Sequence, residues 1–382
     1  MSGGDAASGR ATEAMVRILK GSLAAGASDI HLRVGRPPVV RLQGELRPLD
    51  HPPLSGGFIA HIRDTLAAEA QVDPAALGRR TQGNFACEVP DVGRFRVHHY
   101  RQGGTAALAL RTVPHPVPDF AALRIPPVAK RLASVERGLV LVTGATGNGK
   151  STTIASLLSH LNQEVSKHIV TIEEPIEFIL QDRRSTFTQR EVGRDVEDMR
   201  TGLLGALRED PDWIFVGEIR ELHEFELALS AAEAGHVVVS TLHSQDTSRA
   251  LSRMIHFFAE GHRETARQRL ADAVAGVVSQ RLVPRRGARE RILVTEVLLR
   301  APTIQDCIRD ASRFRGLHAA LEAGTGEYGT HSFDQQLLSM VRDGLIAEDT
   351  ARAAATKPND LVRAIHLGGG AGAHRKSARR AG

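Results

Sequence analysis

Between an apolar run, Leu139 to Thr143, and a stretch of helical pattern after Lys150 lies the spacing G-x-x-x-x-G-K-S, from Gly144 to Ser151. Strand, glycine loop and helix in that order constrain this chain more than any other feature. The loop residues Gly144, Ala145, Thr146, Gly147, Asn148 and Gly149 let successive backbone N–H groups turn inward around a phosphate, and the positive end of the following helix dipole faces the same point. Lys150 is placed to reach the β- and γ-phosphates of a nucleotide, Ser151 to hold a magnesium ion and Thr152 to extend the cradle. The spacing therefore predicts an ATP and Mg²⁺ site.

Bound nucleotide alone does not define a reaction. Hydrolysis needs a carboxylate on the metal side and a group that activates water. The run PDWIFVGEIR predicts a buried strand ending in Glu218, a second candidate for magnesium through water, and IVTIEEPIEF another ending in Glu173 and Glu174. Carboxylates at strand ends stand where open α/β sheets place their ligands, and one of the two is a candidate general base. His243 ends the strand HVVVSTLH and is a candidate to approach the γ-phosphate from the adjoining strand end. His236, at the start of the same run, carries no comparable signal by itself. In the first third of the chain Arg94, Arg96, Arg101 and Arg111 lie on paired strands or their connection, with Arg94, Arg96 and His98 on one face by alternation.

The chain of 382 residues is long enough for about two domains. The reading divides it into an α+β domain over 1–113, a proline-rich linker over 114–120, an α/β domain over 121–300, helices over 301–366 and a basic tail over 367–382. Residues 1–12 and the tail are expected to be disordered, since small and polar residues dominate the first and LGGGAGA opens the second. The strand signals at Leu139–Val142, Ile169–Ile172, Trp213–Val216 and Val237–Ser240 alternate with helical stretches and predict a parallel sheet covered on both faces. Residues 292–299 are a further candidate strand. No run of about 18 apolar residues is present and no charged-then-apolar segment opens the chain, which predicts a cytoplasmic protein. Two cysteines far apart indicate neither a disulfide framework nor a zinc site. The net charge of +5 gathers in Arg281, Arg285, Arg286, Arg289 and Arg291 and in the tail, without the interleaved aromatics of a single-strand platform, so nucleic acid is not an expected partner.

GATGNGKSTT, VTIEEPIEF, REDPDWIFVGEIR and AAEAGHVVVSTLH, in this order, resemble the Walker A, Asp box, Walker B and His box of the secretion ATPases. Within that superfamily GASDIHLRVGRPPVVRLQGEL, GRFRVHHYRQ and SFDQQLLSMVRDGLI resemble the type IV pilus retraction ATPases, the PilT and PilU group. The resemblance implies a PAS-like first domain and a RecA-like second one. It assigns Glu173 as general base, Glu218 as the Walker B acid, His236 and His243 as the His-box pair, and Arg94, Arg96 and Arg111 as fingers or sensors. It also implies a homohexamer at the inner face of the cytoplasmic membrane. Such a ring presses on a PilC-like platform protein and acts on pilins indirectly. An accessory retraction paralogue, a motor of type IVB secretion or conjugation, and a non-hydrolysing subunit of a mixed ring are the alternatives. Three departures stand out: Ala145 and Asn148 within the loop, Glu174 for an aspartate, and TIQDCIRD, Thr303 to Asp310, where the group carries Ala-Ile-Arg-Asn-Leu. There Gln305 replaces the arginine and Cys307 the leucine, which implies retained hydrolysis and altered coupling to retraction.

Overall fold

The computed structural model describes residues 2–114, 116–288 and 290–377. It separates into two compact units. Unit 1 comprises Met1–Val117 together with Glu174–Ile179, and unit 2 comprises Pro118–Glu173 and the chain from Leu180 onward.

Unit 1 is an antiparallel six-stranded sheet backed by helices α1 (Ser2–Ala24), α2 (Gly56–Glu69) and α3 (Pro74–Arg79). Its strands are β1 (Asp29–Arg33), β2 (Val39–Leu42), β3 (Glu45–Pro48), β4 (Gln82–Val89), β5 (Gly93–Gln102) and β6 (Thr105–Val113), in the order β3-β2-β1-β6-β5-β4. Gln43 and Gly44, both at positive φ, make the two-residue turn of the β2–β3 hairpin, with Gly44 at the predicted tip. The alternation read from sequence holds: Ile30 and Leu32 of β1 and Phe95 and Val97 of β5 point into the core with Ile59, Ile62 and Leu66 of α2. Helix α1 starts at Ser2, where disorder was expected to residue 12. Met15, Ile18 and Leu19 fix its later turns in the core, and a nucleated helix extends backward at one hydrogen bond per residue.

His99 follows Phe95 and Val97 on the inner face of β5, is fully buried, and finds no hydrogen-bond partner among the described residues for either ring nitrogen. Burial first, and then the guanidinium groups of Arg63 and Arg101 and the ring of His98, hold its pKa below 6.5, with Asp64 opposing. The folded ring is therefore neutral. Unfolding lets it take up a proton, so its contribution is neutral at alkaline pH and destabilising as pH falls below 6.5, by about 1.4 kcal/mol per unit of difference between the two pKa values. A His99→Phe chain, which removes two unsatisfied nitrogens, is expected to be as stable as the parent at pH 8 and to lose less stability at pH 5.5. Urea melts of both chains at the two pH values check this, and equal losses would refute it.

Unit 2 is built on a seven-stranded sheet in the order β13-β12-β7-β11-β10-β8-β9. The strands are β7 (Gly138–Thr143), β8 (His168–Glu173), β9 (Thr186–Glu191), β10 (Trp213–Glu218), β11 (Val237–Leu242), β12 (Val274–Pro284) and β13 (Arg291–Leu299). All pair in parallel except the β12–β13 hairpin at one edge. Leu139 and Leu141 of β7 enter one core and Val140 and Val142 the other, so the sheet is covered on both faces. The covering helices are α4 (Pro127–Lys130), α5 (Lys150–Glu164), α6 (Met199–Ala206), α7 (Leu222–Glu233), α8 (Thr247–His256) and α9 (Arg263–Ala273). After β13 follow α10 (Pro302–Arg309), α11 (Leu317–Ala323), α12 (Phe333–Arg342), α13 (Glu348–Ala354) and α14 (Pro358–Ser377).

Helix α14 continues to Ser377 through the glycine run expected to be disordered. Leu361 is buried in the small core over Val294 and Phe333, and propagation from that anchored turn carries the helix onward. Residues 378–382 of the expected tail, and Arg289 of the arginine cluster, lie outside the described residues. Both cysteines are buried free thiols, and burial pushes Cys87 up to about 12.

Candidate nucleotide site

The fully buried strand β7 fixes the start of the glycine loop. Gly144 has a positive φ, and a Cβ there would stand 2.7 Å from the Gln280 carbonyl oxygen, so only glycine fits between β7 and β12. The same carbonyl accepts from Asn148 Nδ2 at 3.0 Å, while the Gln280 side chain donates to Thr153 Oγ1 of α5 at 2.6 Å. Thr143 and Ser279 hydroxyls pair at 2.8 Å across the same two strands. Strand β12 thus braces both ends of the loop. Gly149, in the left-handed conformation, opens α5 without a side-chain cap, leaving the first-turn N–H groups to face an anion. Lys150 Nζ donates to the carbonyls of Gly144 at 2.9 Å and Ala145 at 3.3 Å. Ser151 and Thr152 are half-buried in the first turn of α5, and Ala145, Thr146 and Gly147 are exposed.

The carboxyl ends of the parallel strands carry the remaining groups. Strand β11 lies directly beside β7, and the residue after it, His243, meets Lys150 Nζ through Nδ1 at 3.4 Å. Its Nε2 meets Glu218 Oε1, at the end of β10, at 3.1 Å, and Glu218 Oε2 accepts from Arg220 Nε at 3.1 Å. Desolvation, and then Lys150, lower the His243 pKa, with Glu218 opposing. A neutral imidazole with its proton on Nε2 satisfies both neighbours: it donates to the Glu218 carboxylate and accepts from the Lys150 ammonium. Lys150, His243 and Glu218 therefore form one connected chain.

Glu173 lies on the same edge at the end of β8, beyond β10, where its Oε1 accepts from Thr171 Oγ1 at 2.8 Å and Gln189 Nε2 at 3.3 Å. Glu174 begins the segment Glu174–Ile179 that packs as part of unit 1. Within that unit Arg94 donates to the carbonyls of Ile176 at 2.7 Å and Glu177 at 2.8 Å, and Arg96 pairs with the Glu177 carboxylate at 2.9 Å. Arg111 instead pairs with Asp29 at 2.9 Å, and Arg101 donates to the Gly78 carbonyl at 3.1 Å. His236 precedes β11 at the amino end of the sheet, with Nδ1 2.8 Å from the Pro211 carbonyl oxygen. The whole length of β11, Val237–Leu242 in extended conformation, separates it from the edge that carries His243, so the pair named by the resemblance is not brought together in this chain.

Gln280, Arg220 and Arg253, which donates to the His243 carbonyl at 3.0 Å, were not singled out by sequence. Arg220 follows Glu218 by two residues and was within reach of a spacing argument. Gln280 was not, because more than a hundred residues separate it from the loop it braces.

The family model for the type II/IV secretion system protein matches residues 6–322. The chain belongs to that family. Among relatives of this secretion-ATPase chain, the type IV pilus retraction ATPase PilT of Pseudomonas aeruginosa is 38% identical over 348 residues, 91% of this chain and 99% of the relative. The type IV pilus ATPase PilU of the same organism is 34% identical, over 92% and 91%. A crystal structure of the pilus retraction motor PilT with bound ADP superposes with a TM-score of 0.80 at 38% identity, covering 91% of this chain and 98% of that one. Among the described residues of this family member, no helix is long and apolar enough to cross a membrane.

Proposed function

We propose that this chain is an ATP-hydrolysing motor of type IV pilus retraction, working as a homohexamer on the cytoplasmic side of the inner membrane against a PilC-like platform protein, and so on pilins indirectly. The observation that carries this reading is the chain Lys150–His243–Glu218 on the edge of a glycine loop, in a protein that covers nearly all of PilT.

In the reaction, Lys150 exchanges its contacts with the Gly144 and Ala145 carbonyls for the β- and γ-phosphate oxygens of ATP, and the loop N–H groups from Gly144 to Thr152 cradle the phosphates. Ser151 Oγ, in the first turn of α5, and, through water, Glu218, at the carboxyl end of β10, would hold Mg²⁺, a hard cation served by oxygen donors. When bound, that ion neutralises charge on the β- and γ-phosphates. Glu173 takes the proton of the attacking water as its oxygen bonds to the γ-phosphorus and the bond to the β-phosphate oxygen breaks, giving ADP and phosphate. His243, in contact with both Lys150 and Glu218, reports whether the γ-phosphate is present. Arg94, Arg96 and Arg111 are proposed as the groups through which the amino-terminal domain responds to nucleotide at the ring interfaces. His236 acts, on this reading, as a structural member of the His box.

A second reading, as an accessory retraction motor, rests on the changed segment of α10. Gln305, where the retraction group carries arginine, donates to the Ala271 carbonyl at 3.0 Å, and Cys307 is buried. This hydrogen bond ties α10 to the end of α9. The deciding experiment counts surface pili by electron microscopy in cells lacking the gene, in the parent and in a complemented strain. Excess pili with lost twitching are expected. Unchanged pili and twitching would overturn the retraction reading and favour the accessory one.

A further inference from the structure

Glu296, in the middle of β13, is a fully buried carboxyl that the reaction above does not use. Its Oε1 accepts from the backbone N–H of Thr247 at 2.9 Å and from the Thr247 hydroxyl at 2.7 Å. Its Oε2 has no hydrogen-bond partner among the described residues and faces His318 Nε2, likewise unpartnered among them, at 3.8 Å. The productive bonds of this acid thus all go to one residue. Burying a carboxyl is costly, and burial does push its pKa up while the two Thr247 bonds pull it down.

Thr247 is the first residue of α8, and that helix already has a cap: Asp246 accepts from the Arg249 N–H at 2.7 Å. Glu296 therefore adds little to helix capping. What it does is fasten the first turn of α8 to the sheet. Between β11 and α8 lie only four residues, His243 to Asp246, and from within α8 Arg253 donates to the His243 carbonyl at 3.0 Å. One end of this short connection is fixed by strand pairing to β7 and β10, and the other by Glu296.

We propose that Glu296 is the positioning residue for His243, holding it against Lys150 and Glu218 by anchoring Thr247 at the start of α8. The inference rests on the hydrolytic reading of the site and names a residue outside its nucleotide-contacting machinery. A shift of about 1 Å within a catalytic site costs up to about a hundredfold in rate, so loss of the anchor acts on turnover rather than on ATP affinity.

The test is steady-state ATP hydrolysis by the full-length protein for the parent, Glu296→Ala, Glu296→Gln, Thr247→Val, the double variant Glu296→Ala/Thr247→Val, and Thr330→Val. The last removes a buried hydroxyl that bonds the Leu321 carbonyl rather than Thr247 or the His243–Asp246 connection, and serves as the structural control. Glu296→Ala is expected to lower kcat on the order of tenfold or more with KM for ATP within about threefold. Glu296→Gln keeps a carbonyl acceptor and recovers most of kcat. Thr247→Val lowers kcat, and its effect does not add to that of Glu296→Ala. Thr330→Val leaves kcat as in the parent. A folded Glu296→Ala protein with kcat within twofold of the parent, or an equal fall in Thr330→Val, overturns the inference. If Glu296→Ala does not fold, Thr247→Val with unchanged kcat overturns it alone. An inactive parent would instead refute the hydrolytic reading.

Discussion

A Lys150→Ala chain is expected to fold and to lose ATP hydrolysis by on the order of 10³-fold or more. The side chain stands at the mouth of the loop, half-buried, and its hydrogen bonds to Gly144 and Ala145 end on carbonyls of the loop itself. The loop is held independently by Gln280, Asn148 and the β7–β12 pairing, so its shape survives removal of the ammonium. What disappears is the one cation of the loop aimed at the phosphates, where charge develops during transfer, and a preorganised donor at such a place accounts for about 10²–10³ in kcat even when it is a single neutral group. A second consequence concerns His243. Lys150 is the next cause after burial that lowers its pKa, so the alanine chain moves that pKa back toward 6.5 while Glu218 goes on raising it. Imidazole protonation then begins at higher pH than in the parent. Turnover measured with ATP and Mg²⁺, together with fluorescent-nucleotide binding and thermal melts, checks the prediction. An alanine chain with kcat within tenfold of the parent would remove the nucleotide role of the loop.

The parts of this site that sequence disclosed are those whose signal is local. The strand before Gly144, the loop glycines and Lys150 are contiguous, and Glu218 and His243 each end an apolar run, so their common edge followed from strand direction alone. The order of the strands did not. Placing β11 between β7 and β10 is what puts His243 in contact with Lys150 and Glu218 together, and adjacency in a parallel sheet is a tertiary fact. Strand β12 was missed because Val274 to Val278 is a continuous apolar run after a helical stretch, which carries neither the period of two nor that of 3.6. Strand β9 was missed for the opposite reason. It is an edge strand whose single apolar residue is Phe187, none of its residues fully buried, recognisable only once β8 is there to pair with it. Alternation puts Arg94 and Arg96 on one face, yet the segment they grip lies some eighty residues away.

Replacing Glu173 by glutamine is expected to cut single-turnover hydrolysis by about 10²–10⁴-fold while ATP binding is retained. The substitution keeps the shape and leaves a side-chain carbonyl where Glu173 Oε1 accepts from Thr171 and Gln189, so β8 and β9 stay paired and only the basicity is lost. Nucleotide binding is spared because β8 is separated from the loop strand by β10 and β11. Glu174→Gln is the discriminating partner. Glu174 leaves the strand edge with the segment that Arg94 and Arg96 hold through Ile176 and Glu177, so its conversion is expected to keep near-parent rates. Two adjacent acids of equal charge are indistinguishable by composition, and what separates them is that one ends a parallel strand at the ligand edge and the other begins the segment packed in unit 1. Normal hydrolysis by Glu173→Gln with collapse in Glu174→Gln would transfer the base to Glu174.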